Sequence, residues 1–200
     1  MAQPMKHIGI VLFDDVEELD AVGPWEVISH WTQRYPNDGW AVSLISRDGA
    51  PVKAAKGMVI GSHHSFADAP AMNVLVHPGG PGSLDLMHDD GHLDWVRARR
   101  KDVPLMTSVC TGALVYAAAG LLRGRDATTH WGFLDELAAA EPTVTVRRKD
   151  RFVIDGTVIT SAGVSAGIDM ALYLVMRFAG RERASDVRRG IQYDPAPPVR

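Results

Sequence analysis

Cys110 is the only cysteine in the chain, and it stands in the stretch Ser108-Val109-Cys110-Thr111-Gly112. The β-friendly segment "VPLMTSV" (103–109) precedes it, and the small-residue run "TGALVYAAAGLL" follows. A residue between a strand end and a helix start is held on a sharp turn. Small residues two places to either side, here Ser108 and Gly112, let that turn close, which makes the stretch the cysteine counterpart of the G-x-S-x-G nucleophile elbow. A helix N-terminus beneath the thiol favours thiolate, so a pKa below the free value of about 8.5 is predicted. The free N–H groups there can also hold a developing anion. The competing reading is a buried structural cysteine, a common fate of free thiols. The strand–turn–helix setting favours the nucleophile.

Three other stretches offer groups for such a thiol. In "HPGGPGS" (77–83), Gly79 and Gly80 can present N–H groups without side-chain obstruction and are candidate oxyanion donors. Glycine and proline are also ordinary turn residues. "DDVEELDAVGP" (14–24) holds five acids. Asp14, Asp15 and Glu17 read as a solvated loop and the acidic start of a helix. Glu18 and Asp20 differ, because they sit among apolar residues just before Gly23-Pro24. A carboxyl held against a thiolate suffers repulsion and desolvation, so its pKa rises and it can serve as a protonated general acid. His130, in "ATTHW", is either the partner of a Cys–His pair or a structural histidine. His88 and His92 are four apart, but Gly91 is expected to break the helix that would align them, so no metal site is expected.

Alternating elements must position these groups. "HIGIVLF" (7–13), "WAVSLIS" (40–46), "MNVLVHP" (72–78) and residues 103–109 read as strands. Gly23-Pro24 is expected to open a helix through "WEVISHW", and 83–100 reads as a helix broken near Gly91. "PVKAAKGMVIGSHHSF" (51–66) reads as a short antiparallel pair around Gly57. "ATTHW" is a strand edge leading into the helix "GFLDELAAAE". "VTVRRKDRFVIDGTVITSAG" reads as a hairpin turning at Asp155-Gly156. "SAGIDMALYLVMRFAG", apolar nearly all round, is a buried helix. A more polar helix, "ERASDVRRGIQY", and an extended tail, "DPAPPVR", close the chain. This alternation predicts an α/β fold with a parallel sheet covered on both faces, its sites lying beyond the carboxyl ends of the strands.

With 200 residues, 46% of them apolar, the chain suits one domain over 1–200. Its net charge of −3 gives no reason to expect a nucleic-acid partner. The longest apolar run, Gly112–Leu122, is too short to span a bilayer, and no signal peptide is read. One cysteine fits a reducing cytoplasm.

In "IGIVLFDDVEELDAVGPWEV", "VHPGGPG", "TSVCTGALVYAAAGLLRGRDATTHW", "SAGVSAGIDMAL" and "IQYDPAPPV", the chain resembles the ThiJ/PfpI superfamily, relatives of class I glutamine amidotransferases. Within it, the chain is most similar to the branch of isonitrile hydratases and AraC-type sensor domains. The resemblance implies a flavodoxin-like three-layer sandwich, an elbow cysteine, and an acid from the first strand–helix loop. The hydratase pattern "LD-x-x-GP" selects Asp20 over Glu18. Thr111 stands where protease-like members carry histidine, and the hydratases carry threonine there too.

The implied activity is that of a lyase hydrating isonitriles to N-substituted formamides. Cys110 would be the nucleophile and Asp20 the acid. Thr111 would bind substrate or water through its hydroxyl and N–H, while Gly79, Gly80 and His130 line the site. A cytoplasmic homodimer needing no cofactor is implied. Two alternatives stay open: an enzyme acting on 2-oxoaldehydes, and a redox sensor or ligand-binding module whose cysteine oxidises to a sulfinate. The regulators share "TSVCTGA" and "ATTHW" but continue into a helix-turn-helix, which is not expected here because the sequence stops at Arg200. The basic stretch 181–189 reads as a solvated or interface face.

Overall fold

A computed structural model of the protein describes residues 5–194. β1 (Lys6–Leu12) is buried from Ile8 onward, as a central parallel strand covered on both faces must be. It leads into α1 (Glu18–Arg34), β2 (Trp40–Ser46), β3 (Val52–Lys53), β4 (Val59–Ile60), β5 (His64–Ser65) and β6 (Val74–His77). Then come α2 (Gly82–Leu86), α3 (Asp90–Asp102), β7 (Leu105–Val109), α4 (Gly112–Ala118), β8 (Asp126–Ala127), α5 (Leu134–Ala140) and β9 (Thr145–Val146). β10 (Phe152–Asp155), β11 (Val158–Ser161), α6 (Ala166–Ala179) and α7 (Arg181–Gly190) complete the order.

The main sheet runs β10-β11-β7-β6-β1-β2-β5 and is parallel except for the β10–β11 hairpin. Strand succession moves one way from β1 to β2 and the other way from β6 to β7 to β11. Right-handed crossovers therefore put α1 on one face and α3 and α4 on the opposite face. α6 and α7 pack with α1, and α2, α3 and α5 pack with α4. This is the flavodoxin-like three-layer arrangement. Its switch point lies between β1 and β6, so the carboxyl ends of β1, β6 and β7 stand side by side.

Several boundaries differ from expectation. α1 starts at Glu18, and Pro24 lies inside it, packed against Gly167 of α6. The 83–100 helix breaks at 87–89, where the Asp89 carboxylate caps α3 by accepting from His92 N–H at 2.9 Å. Gly91 sits within the first turn of α3. Thr145–Val146 joins Asp126–Ala127 in a separate parallel pair, and the hairpin is confined to 152–161, its loop residues being Gly156 and Thr157. Helix α6 buries Met170, Ala171, Leu174 and Val175 but leaves Ile168, Leu172 and Tyr173 half-buried. Of the expected tail, residues 195–200 lie outside the described residues.

Candidate active site

Cys110 follows β7 directly and holds φ at 56°, in the left-handed region that non-glycine residues rarely occupy. Fixed groups enforce this turn. Its N–H donates to Ser161 O at 3.1 Å, and its carbonyl accepts from Thr129 Oγ1 at 2.7 Å. Gly112 is required for packing, since a Cβ there would meet His77 O at 2.3 Å. Gly79 is required for the same reason, because a Cβ would lie 2.4 Å from Thr111 N. At Gly79 and Gly112 the β6 loop and the elbow approach too closely for any side chain at either position.

Asp20, in the first turn of α1, is completely buried. Its Oδ2 accepts from Gly79 N–H at 3.0 Å, and its Oδ1 has no hydrogen-bond partner among the described residues. Burial pushes this carboxyl up to about 7, opposed by the Gly79 N–H and by the neighbouring Cys110 thiol. Glu18 is placed differently: it accepts from Lys56 N–H at 2.6 Å and pairs with the Lys56 ammonium at 3.4 Å.

The thiol departs from expectation. Burial, and then the Asp20 charge, push Cys110 up to about 12, while the N–H groups of Thr111 and Val164 pull it down. The helix beneath it has only seven residues, and burial of the sulfur together with the carboxyl next door outweighs it. The two acids are therefore coupled and share protons as a pair.

The expected donors are otherwise engaged. Gly79 N–H is given to Asp20, and Gly80 N–H to Thr111 Oγ1 at 2.9 Å. The buried Thr111 hydroxyl also shares a hydrogen bond with Ser83 Oγ at 2.8 Å, so its side chain braces the β6 loop while its N–H serves the sulfur. His130 is half-buried: its Nδ1 accepts from Gly132 N–H at 3.2 Å, and its ring lies on Gly163, beside Val164. The structure thus gathers Asp20, Gly79, Gly80, Cys110 and Thr111, with His130 one peptide removed behind Gly163.

The sequence reading missed Val164, whose N–H meets the sulfur, and Ser83 and Thr129, which brace the elbow. It also missed the buried contact of His92 with His77, at 2.8 Å. Among the described residues no group of three or more His, Cys, Asp or Glu is placed to hold a metal ion. No helix among them is long and apolar enough to cross a membrane.

The DJ-1/PfpI family pattern matches residues 6–177. The chain belongs to the DJ-1/PfpI family. Among family relatives, an isonitrile hydratase from Pseudomonas putida is 40% identical over 96% of this chain and 80% of its own. The transcriptional regulator GbdR of Pseudomonas aeruginosa is 29% identical over 94% of this chain, which spans about half (51%) of the regulator's length. The crystal structure of a ThiJ/PfpI family protein from Pseudomonas syringae superposes with a TM-score of 0.88 at 31% identity, over 97% of this chain and 77% of the other. In this DJ-1/PfpI chain, Cys110 of the elbow and Asp20 of the first turn of α1 lie together beside the switch point.

Proposed function

We propose that the protein is an isonitrile hydratase, with Cys110 as nucleophile and Asp20 as general acid. One observation carries the reading: a fully buried carboxyl beside the thiol has one oxygen fixed by Gly79 N–H and the other without a partner. In its singly protonated state, which it enters as pH rises through about 7, such a pair can hold the proton on Asp20 opposite the thiolate and deliver it with no other group in the way. The 40% identity to an isonitrile hydratase supports the choice of substrate.

The reaction uses that single proton. The terminal isonitrile carbon takes the proton from Asp20 as the Cys110 sulfur bonds to the same carbon, giving an S-bound thioimidate, R–N=CH–S, and leaving Asp20 as carboxylate. Water then adds to that carbon. Asp20 accepts a proton from the water and passes it on to the nitrogen. Collapse of the tetrahedral adduct forms the formyl C=O, breaks the C–S bond, and returns the sulfur and its proton to the pair. The N–H groups of Thr111 and Val164 hold the sulfur while it carries charge. The chemistry asks for one thiol and one acid in a water-poor site.

The test is product analysis over a panel of alkyl and aryl isonitriles and 2-oxoaldehydes, with Cys110→Ala as control. N-substituted formamide dependent on Cys110 supports the proposal. Hydroxy acid from the oxoaldehydes alone replaces it, and peroxide-driven sulfinate at Cys110 without any turnover points to the sensor reading.

A further inference from the structure

His77 and His92 are buried, lie 15 residues apart in sequence, and have no part in the reaction above. His77 ends β6, and His92 lies in the first turn of α3. Their Nε2 atoms are 2.8 Å apart, and His77 Nδ1 is 2.7 Å from Pro78 O. A carbonyl oxygen can only accept, so His77 Nδ1 carries the hydrogen. In a neutral ring the His77 Nε2 is then a bare acceptor, and His92 Nε2 must be the donor to it. Burial keeps both rings neutral, holding His77 down to about 3 and His92 to about 4.

The next link follows from covalent geometry. Pro78 C=O and Gly79 N–H are the two ends of one planar peptide group. One end receives the His77 proton donor, and the other donates to Asp20 Oδ2 at 3.0 Å. We infer that His77 and His92 are positioning residues for Asp20: the chain His92 Nε2–H to His77, His77 Nδ1–H to Pro78 O, and Gly79 N–H to Asp20 Oδ2 runs one way and fixes Oδ2 as the charged oxygen and Oδ1 as the proton carrier. Every donor in the chain points toward the carboxyl, so each polarises the next and favours its charged form.

The rings are held for this. Phe13 and Tyr116 lie against His77, with ring centres at 5.5 and 5.7 Å. Phe66 and Trp95 lie against His92 at 5.8 and 6.3 Å. His92 also lines a cavity of about 430 Å³ with Arg47, Phe66 and Asp89. The charged groups acting on His92 are Arg47 and Asp89, and those acting on Asp20 are Glu17 and Lys56, beside the hydrogen-bonding Cys110 thiol.

This inference rests on Asp20 being the acid of the proposed reaction, but its test uses no substrate, so the two fail separately. Long-range proton–nitrogen NMR of the unmutated protein should show His77 with hydrogen on Nδ1 and His92 with hydrogen on Nε2. Either ring in the opposite tautomer overturns the chain. The Asp20 carboxyl carbon is then titrated in a Cys110→Ala background, which removes the coupled thiol. His92→Phe keeps a ring and loses the donor, so the Asp20 midpoint should rise by about one pH unit. His92→Gln offers an amide N–H in its place and should restore the midpoint. A folded His92→Phe with an unmoved midpoint shows a packing role only and rejects the inference.

Discussion

The N–H of Val164 meets the Cys110 sulfur, and both residues hold left-handed backbone, with φ of 47° and 56°. For β-branched Val164 this conformation costs on the order of 1–3 kcal/mol. Asparagine tolerates it, so Val164→Asn is expected to stabilise the fold by about 1 kcal/mol, read as a higher urea midpoint. A lower midpoint would show that the half-buried valine side chain matters more than the strain.

Asp20 titrates in the fold near 7, above its ordinary 3.8. The folded state therefore binds the proton more tightly, and the stability this confers, complete below pH 3.8, is lost as pH rises through 7. Between pH 5 and 8 the loss is about 2–3 kcal/mol. Asp20→Asn stays neutral, so its urea midpoint should lack this fall, while turnover drops by about 10²–10⁴-fold. If Glu18→Gln abolishes turnover and Asp20→Asn does not, the acid is Glu18.

At Gly79 a Cβ would meet backbone and side-chain atoms of Thr111 at 2.4 and 2.5 Å. Gly79→Ala should cost about 1–3 kcal/mol, lower the melting temperature by several degrees and slow Cys110 alkylation. Gly61→Ala, where a Cβ meets nothing within 4 Å, should stay within about 0.5 kcal/mol of the parent.

Thr111 Oγ1 is the acceptor for Gly80 N–H. Thr111→Val leaves that donor without a partner and should cost about 1–3 kcal/mol. Thr111→Ser keeps the oxygen and should recover most of the stability in the same denaturation series.

The sheet was legible because its strands are continuous apolar runs, and the elbow because Ser108 and Gly112 flank a lone cysteine. Helix boundaries were harder to read. Pro24 suggested a helix start, yet it lies seven residues into α1, where its ring packs against Gly167. Gly91 suggested a break that the Asp89 cap places earlier. The site's hydrogen bonds were not legible at all, because they join backbone groups far apart in sequence. Nothing in "HPGG" announces that Gly79 N–H serves Asp20, and nothing in "GVSAG" marks the Val164 N–H for the sulfur. The thiol pKa was misjudged because a short helix was weighed without the burial of the sulfur, to which the Asp20 charge adds.

The most direct test of the mechanism is to run the isonitrile reaction in D2O and examine the formyl carbon by proton NMR and mass spectrometry. Transfer of the pair's one proton to carbon should place deuterium on that carbon, where it does not wash out, and Cys110→Ala and Asp20→Asn should give no product above background. Formamide carrying hydrogen on the formyl carbon, formamide formed equally by Cys110→Ala, or no formamide from any isonitrile beside Cys110-dependent hydroxy acid from a 2-oxoaldehyde would contradict it.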